Sequence, residues 1–243
     1  MSAQVKKRGF AERWAEERAN IRNLGWWWSF VYLLHRLLLR VSAGHIRLIC
    51  YALVVQPVQP PAQQRQRASR IEVRELTPED PMLRAIPRDP AVLQARFARN
   101  GRAIGAFDGE KFAGMIWFQL DEYDEDEVRC RYRFLPVGRV CWDYDMLIEE
   151  SLRLSPLFTR IWAAGSSMLH RLGIRWTASR ISAFNAASLR SHARLGAKRV
   201  ASATFICFGP LQFLFATCRP YFNVSFSSAP VIDVDATRAE SMS

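Results

Sequence analysis

The sequence predicts an α/β domain from about residue 71 to residue 218, preceded by a basic, aromatic-rich segment. Three observations carry this. Strand-like and helix-like stretches alternate through the region. Glycine-containing dipeptides stand where two hairpins would turn. A stretch with three prolines and five glutamines, residues 56–70, separates the region from what comes before. The expected division is a basic extension over residues 1–62, a linker over 63–70, the domain over 71–218 and a polar, disordered tail over 219–243.

In the extension, residues 11–20 are charged and helix-like. Trp26-Trp27-Trp28 open a second helix, in which Phe30, Leu33, Leu34, Leu37, Leu38 and Val41 recur at helical spacing, with Arg36 and Arg40 on another face. Gly44 ends it. Residues 46–55 are β-branched or apolar at nearly every position and read as a strand. The helix can pack on the domain's sheet with residues 46–55 as an added strand, or it can lie in a membrane interface, where Trp and Arg are favoured.

Within the domain, residues 71–76 form a short strand. Thr77-Pro78 has the form of a helix cap followed by a first-turn proline. Strands over 102–107 and 111–120 meet at Asp108-Gly109, and 121–127 is an acidic loop. A strand over 140–148, a helix over 156–172, a strand over 176–182 and a helix over 187–195 follow. The last hairpin turns at Gly209-Pro210.

The net charge of +11 is uneven: residues 1–70 hold twelve Lys/Arg and three Glu, leaving +2 for the rest. That polarity suits an anionic partner, a lipid surface or an acidic carrier protein, more than it suits nucleic acid. The five cysteines and four histidines have no metal-ligand or disulfide spacing, so no metal is expected and a reducing compartment fits. The uncharged run over residues 24–34 falls short of the ~20 residues a spanning helix needs. A cytoplasmic protein with peripheral membrane contact is the expectation. Nucleotide P-loop, dinucleotide and serine-hydrolase signatures are absent.

Two segments carry more. In the first, Asn185 is followed by Ser188, His192 and Gly196 at intervals of three, seven and eleven residues. In the second, residues 145–172 run strand, loop, helix, with Arg153-Leu154-Ser155-Pro156-Leu157-Phe158 at the junction. Both, with the order of elements, resemble the GNAT N-acetyltransferase superfamily over roughly 150 of the 243 residues. The second segment departs from the family pattern, because proline and bulky side chains stand where glycines would let backbone approach a phosphate. Ser155-Pro156 is nonetheless a cap-and-first-turn pair that leaves amides pointing out of the helix start.

The resemblance implies a GNAT-type fold: a mixed, mostly antiparallel splayed sheet flanked by helices, here with an N-terminal helix-strand extension. It implies transfer of an acetyl or longer acyl group from an acyl-coenzyme A or acyl-carrier thioester to an amine or hydroxyl, by direct attack. The implied donor contacts are Leu147 and Ile148 (a backbone N–H polarising the carbonyl), Arg153, Ser155, Leu157, Phe158 and Thr159 at the helix start, and Asn185 and Ser188. Asp145 is the expected base and His192 the expected acid. Asp143 shares a face with Asp145 by the two-residue period of a strand. The alternative is a GNAT-like module without turnover that serves as a binding or scaffold protein.

Overall fold

The computed structural model describes residues 24–60 and 70–241. The helix expected over 11–20 and most of the linker expected over 63–70 lie outside the described residues. In chain order the elements are α1 (Trp26–Val41), β1 (Ile46–Pro57), β2 (Ile71–Leu76), a 3-10 turn (Pro81–Ala85), α2 (Pro90–Ala98), β3 (Gly101–Asp108), β4 (Lys111–Gln119), β5 (Tyr123–Asp124), β6 (Arg131–Leu135) and β7 (Val140–Ile148). A second 3-10 turn (Glu150–Leu152), α3 (Leu157–Arg171), β8 (Trp176–Ser182), α4 (Ala186–Arg194), β9 (Lys198–Phe208), β10 (Leu211–Ala216), β11 (Phe222–Ser225), β12 (Val231–Asp235) and α5 (Thr237–Glu240) complete them.

Nine strands form one sheet in the order β11-β10-β9-β1-β8-β7-β4-β3-β2. Every pairing is antiparallel except β7 with β8. This is the mixed, mostly antiparallel sheet that the resemblance implied. The strand at residues 46–57, however, is no appended edge. It lies inside the sheet, antiparallel to β8 on one side and to β9 on the other. Its uniform apolarity follows from that position, since a strand covered on both faces has no solvent side to keep polar. Tyr51, Ala52, Leu53, Val54 and Val55 are all buried.

One sheet face carries α1, α3 and α4. The helix α3 packs on β2, β3 and β4, drawn close where Gly165 faces Phe118; a Cβ at Gly165 would sit 2.7 Å from that ring. Leu189 of α4 packs on Ala52 and Val54 of β1 and Ile181 of β8. The other face is covered by α2 and by a small sheet, β12-β6-β5, whose Tyr132 and Phe134 stack on Trp142 of β7 at ring-centroid distances of 4.5 and 5.7 Å. The segment expected to be a disordered tail is therefore part of the fold: Ile232 and Val234 of β12 are fully buried.

Local signals moved by a few residues. Asp80 and Asp89, not Thr77, cap the helical turns of this region, each accepting a backbone N–H and each followed by proline. The β3–β4 hairpin turns at Gly109-Glu110, since Asp108 already pairs with Lys111. Gly109 takes a φ of +60°, which an L side chain rarely adopts.

Candidate functional site

The parallel pairing of β7 with β8 covers three positions and stops at Trp142 and Ala178, while β7 runs on to Ile148 and β8 to Ser182. Beyond that point the strands part and leave a fork in the sheet. α4 stands over the β8 side and α3 over the β4 side. The β7 arm of the fork is itself irregular. Its register against β4 shifts between Met115 and Trp117, so that Asp145 and Met146 together oppose Ile116, a β-bulge, and Asp145 takes a φ of +48°. Past the bulge, the Glu149 N–H donates to Ala113 O on β4 at 2.9 Å. Alternation along a strand then turns the Ile148 N–H the opposite way, towards the fork, and the Leu147 N–H back towards β4. Of the two amides named from the sequence, Ile148 alone is aimed at the opening.

At the start of α3, Ser155 Oγ accepts the Leu157 N–H at 3.2 Å and donates to Leu152 O at 2.7 Å. The helix proper begins at Leu157, one residue later than expected. Leu157 is buried and Phe158 stacks on Trp162, so these side chains face the core, and Thr159 is exposed. The first-turn amides of Phe158 and Thr159 have no acceptor within the helix. Arg153 lies at the end of the preceding 3-10 turn, half exposed and 4.0 Å from Glu150.

Asn185 and Ser188 have a local role at the other helix. Asn185 Oδ1 accepts the Ser188 N–H at 3.0 Å and so caps α4. This bond uses one lone pair of its amide oxygen; the side-chain NH2, which the sequence reading also offered to a donor, is not part of the cap. His192, two turns on, is half-buried; among the described residues its Nδ1 has no hydrogen-bond partner. Burial holds the His192 pKa below the ordinary 6.5. At neutral pH the imidazole is neutral and able to accept a proton.

The two aspartates do not share a face. The bulge breaks the two-residue period, so Asp145 emerges on the α2 face and Asp143 on the α3 face. Asp145 is clamped by Arg88 Nη2 and Arg96 Nη1, each at 2.6 Å, and the Arg96 guanidinium lies over the Trp117 and Tyr144 rings at 5.2 and 5.1 Å. Burial alone would raise the Asp145 pKa, but the two arginines outweigh it and hold the carboxyl below its usual range. Such a group is a weak proton acceptor and a strong structural anchor.

Asp143 is buried, and burial raises its pKa to about 7 in spite of the Thr177 and Ser179 hydroxyls, which favour the charged form. Among the described residues Asp143 Oδ1 and Thr177 Oγ1 lack a well-formed hydrogen bond, as do both side-chain polar atoms of Gln56, the register partner of Thr177. Sequence reading missed Gln56, Thr177 and Ser179. The available signal was Thr177 and Ser179 at a two-residue interval, which puts two hydroxyls on one face of a central strand.

The Asp143 shift has a sign that can be tested. A carboxyl whose folded pKa lies above the ordinary 3.8 stabilises the fold fully below its unfolded pKa, and the contribution is lost as pH rises through about 7. Between pH 5 and pH 8 this amounts to about 2–3 kcal/mol. Urea unfolding of Asp143→Asn should therefore lose that much less stability over the interval than the parent protein does. Parallel pH dependences would contradict it.

On the α2 face, beside the Asp145 clamp, lies a cleft of about 780 Å³ lined in part by Arg96, Arg99, Tyr123, Asp126 and Tyr144. The acidic loop closes one side of it. The Glu125 side chain is fully buried and receives two hydrogen bonds from Arg180 of β8, at 2.6 and 2.7 Å. The Tyr51 hydroxyl of β1 donates to Glu127.

No protein-family model and no curated protein matches the chain. Solved structures do. A conserved protein of unknown function from Staphylococcus epidermidis aligns over 71% of this chain and 66% of its own at 12% identity and a TM-score of 0.48. A protein from Novosphingobium aromaticivorans placed in the GNAT family aligns over 65% and 63% at 15% identity and a TM-score of 0.45. An aminoglycoside acetyltransferase from a soil metagenome, solved with sisomicin, aligns over 51% and 86% at 11% identity and a TM-score of 0.38. The chain thus spans a little under two thirds of the first two. All three scores are low, and residue roles are taken from this chain's own geometry.

Proposed function

We propose that the protein is a GNAT-type acyltransferase, moving an acyl group from an acyl-coenzyme A or acyl-carrier thioester to an amine or hydroxyl of a small acceptor. The observation that carries this reading is the fork: a parallel strand pair that parts after three positions, beside a bulge that turns the Ile148 N–H into the opening. A thioester carbonyl placed there would accept a hydrogen bond from that N–H, which favours the oxyanion formed on attack. The first-turn amides of α3 and the neighbouring Arg153 would meet the donor's phosphates. The acceptor would enter from the cleft on the α2 face.

In this scheme the acceptor nitrogen attacks the thioester carbon, a C–N bond forms and the C–S bond breaks. His192, neutral before attack, takes the proton from the nitrogen and returns it to the departing thiolate. One group then balances the proton, and Asp145 is left as the anchor that fixes the bulge.

The second reading, a binding module without turnover, is favoured by the glycine-free helix start and by the use of the Asn185 amide oxygen in its cap. Calorimetry with acetyl-coenzyme A separates both readings from neither. A dissociation constant between micromolar and millimolar, about −8 to −4 kcal/mol, is expected of the transferase. Slow hydrolysis or transfer to an amine panel, followed by thiol release, then distinguishes enzyme from module. No binding of coenzyme A or carrier thioesters would overturn the proposal.

A further inference from the structure

α1 is apolar on two opposite sides, and among the described residues only one of them is packed against the sheet. Trp28, Val31, Tyr32 and His35 face inward, against Phe184, Leu48, Cys50 and Ile206. At 3.6 residues per turn, Trp26, Trp27, Phe30, Leu33, Leu37 and Val41 fall on the outward side. They are exposed there, Trp26 by 82% and Val41 by 79%. Arg36 and Arg40 run along one flank of this stripe. On the flank of α1 the same sheet face continues over residues 202–208 of β9 and over β10 and β11, where the described residues facing out carry no charge, ending in the Phe215–Phe222 ring pair at 5.1 Å. A soluble surface rarely leaves so much contiguous apolar area uncovered without a partner.

We propose that this outward face of α1 docks on the surface of an anionic lipid bilayer. Charge decides among the occupants. From Arg18 to Ile71 the sequence holds eight arginines and no Asp or Glu, so the helix and everything adjoining it in the chain is cationic. A second copy related by a two-fold axis would set Arg36 and Arg40 against the same residues of the other helix, with no acidic side chain on α1 to offset them. A negatively charged headgroup layer complements them instead, and tryptophan is the side chain best suited to the depth between headgroup and acyl chain. Among the described residues no helix is long and apolar enough to cross a membrane, so the contact is peripheral.

The test uses the full chain and sedimentation with two kinds of vesicle, phosphatidylcholine alone and phosphatidylcholine mixed with phosphatidylglycerol. The protein should sediment with the mixed vesicles, weakly or not at all with the neutral ones, and less as salt shortens the screening length below about 10 Å. The Leu33→Gln/Leu37→Gln variant alters only exposed positions and should keep its melting temperature while losing at least about tenfold in vesicle affinity. Val137→Gln, an exposed apolar position far from α1 in the chain, should bind as the parent does. Absence of binding to the mixed vesicles overturns the proposal, as does equal, salt-insensitive binding to both. A dimer in solution that the double variant splits would assign the stripe to a second copy and overturn it too. Donor affinity in the same variant should be unchanged, which keeps this outcome separate from the acyltransferase reading.

Discussion

Replacing Arg180 by methionine should lower the unfolding free energy by about 3–5 kcal/mol at pH 8, the largest loss expected of any single surface-to-core change here. The reason is what the substitution leaves behind. The Glu125 side chain is wholly buried, and Arg180 is the cation paired with it, while the Asp126 and Glu127 N–H groups donate to its Oε1. Burial already raises the Glu125 pKa even with the arginine in place. Without it, the carboxylate keeps two backbone donors but no counter-charge, and must stay charged in a buried site or take up a proton. Protonation costs little at low pH, so the loss should be visibly smaller at pH 5 than at pH 8. The cation also lies over the Tyr51 ring at 4.5 Å, a contact that methionine keeps only in its apolar part. A second change, Glu125→Gln, should recover part of the loss, because a neutral amide needs less compensation than a charge. Urea unfolding at the two pH values reads this directly. A loss under about 1 kcal/mol, equal at both, would mean that the pair behaves as a solvated surface bridge.

The second large effect is on rate. His192→Gln should reduce acyl transfer about 10²–10⁴-fold with little change in donor affinity, the usual scale for removal of a group that moves a proton. The parent enzyme should gain activity as pH rises through a value below 6.5, because burial favours the neutral ring and only the neutral ring accepts a proton. That acidic limb should vanish in the variant. A folded variant with an unchanged rate and the same pH profile would return His192 to a partly buried residue of the α4 face.

The positions of several elements were legible because their signals are local. The strands at residues 140–148 and 176–182 stand where apolar periodicity put them, and Gly209-Pro210 turns the β9–β10 hairpin. The Asn185 to Gly196 spacing marked a real helix, with Asn185 as its cap. What could not be read is what depends on distant partners. Residues 46–57 advertise a strand buried on both faces, but nothing local says that it enters between β8 and β9. The insertion makes the N-terminal segment part of the central sheet. In the same way Asp143 and Asp145 look equivalent by period two. Only the bulge opposite Ile116 sends one to the Arg88–Arg96 clamp and the other under α3. The short alternation Val231-Ile232-Asp233-Val234 was a readable strand signal that the polar composition around it obscured.

Hydrogen–deuterium exchange with and without acetyl-coenzyme A tests the central claim most directly, because it asks where the donor lies. The fork predicts slower exchange in three stretches: residues 145–148 on β7, residues 157–160 at the start of α3, and the first turns of α4 from residue 186. The α2 cleft and the β10–β11 hairpin should exchange as before. Binding that protects other segments, and leaves the Ile148 amide unchanged, would contradict the account.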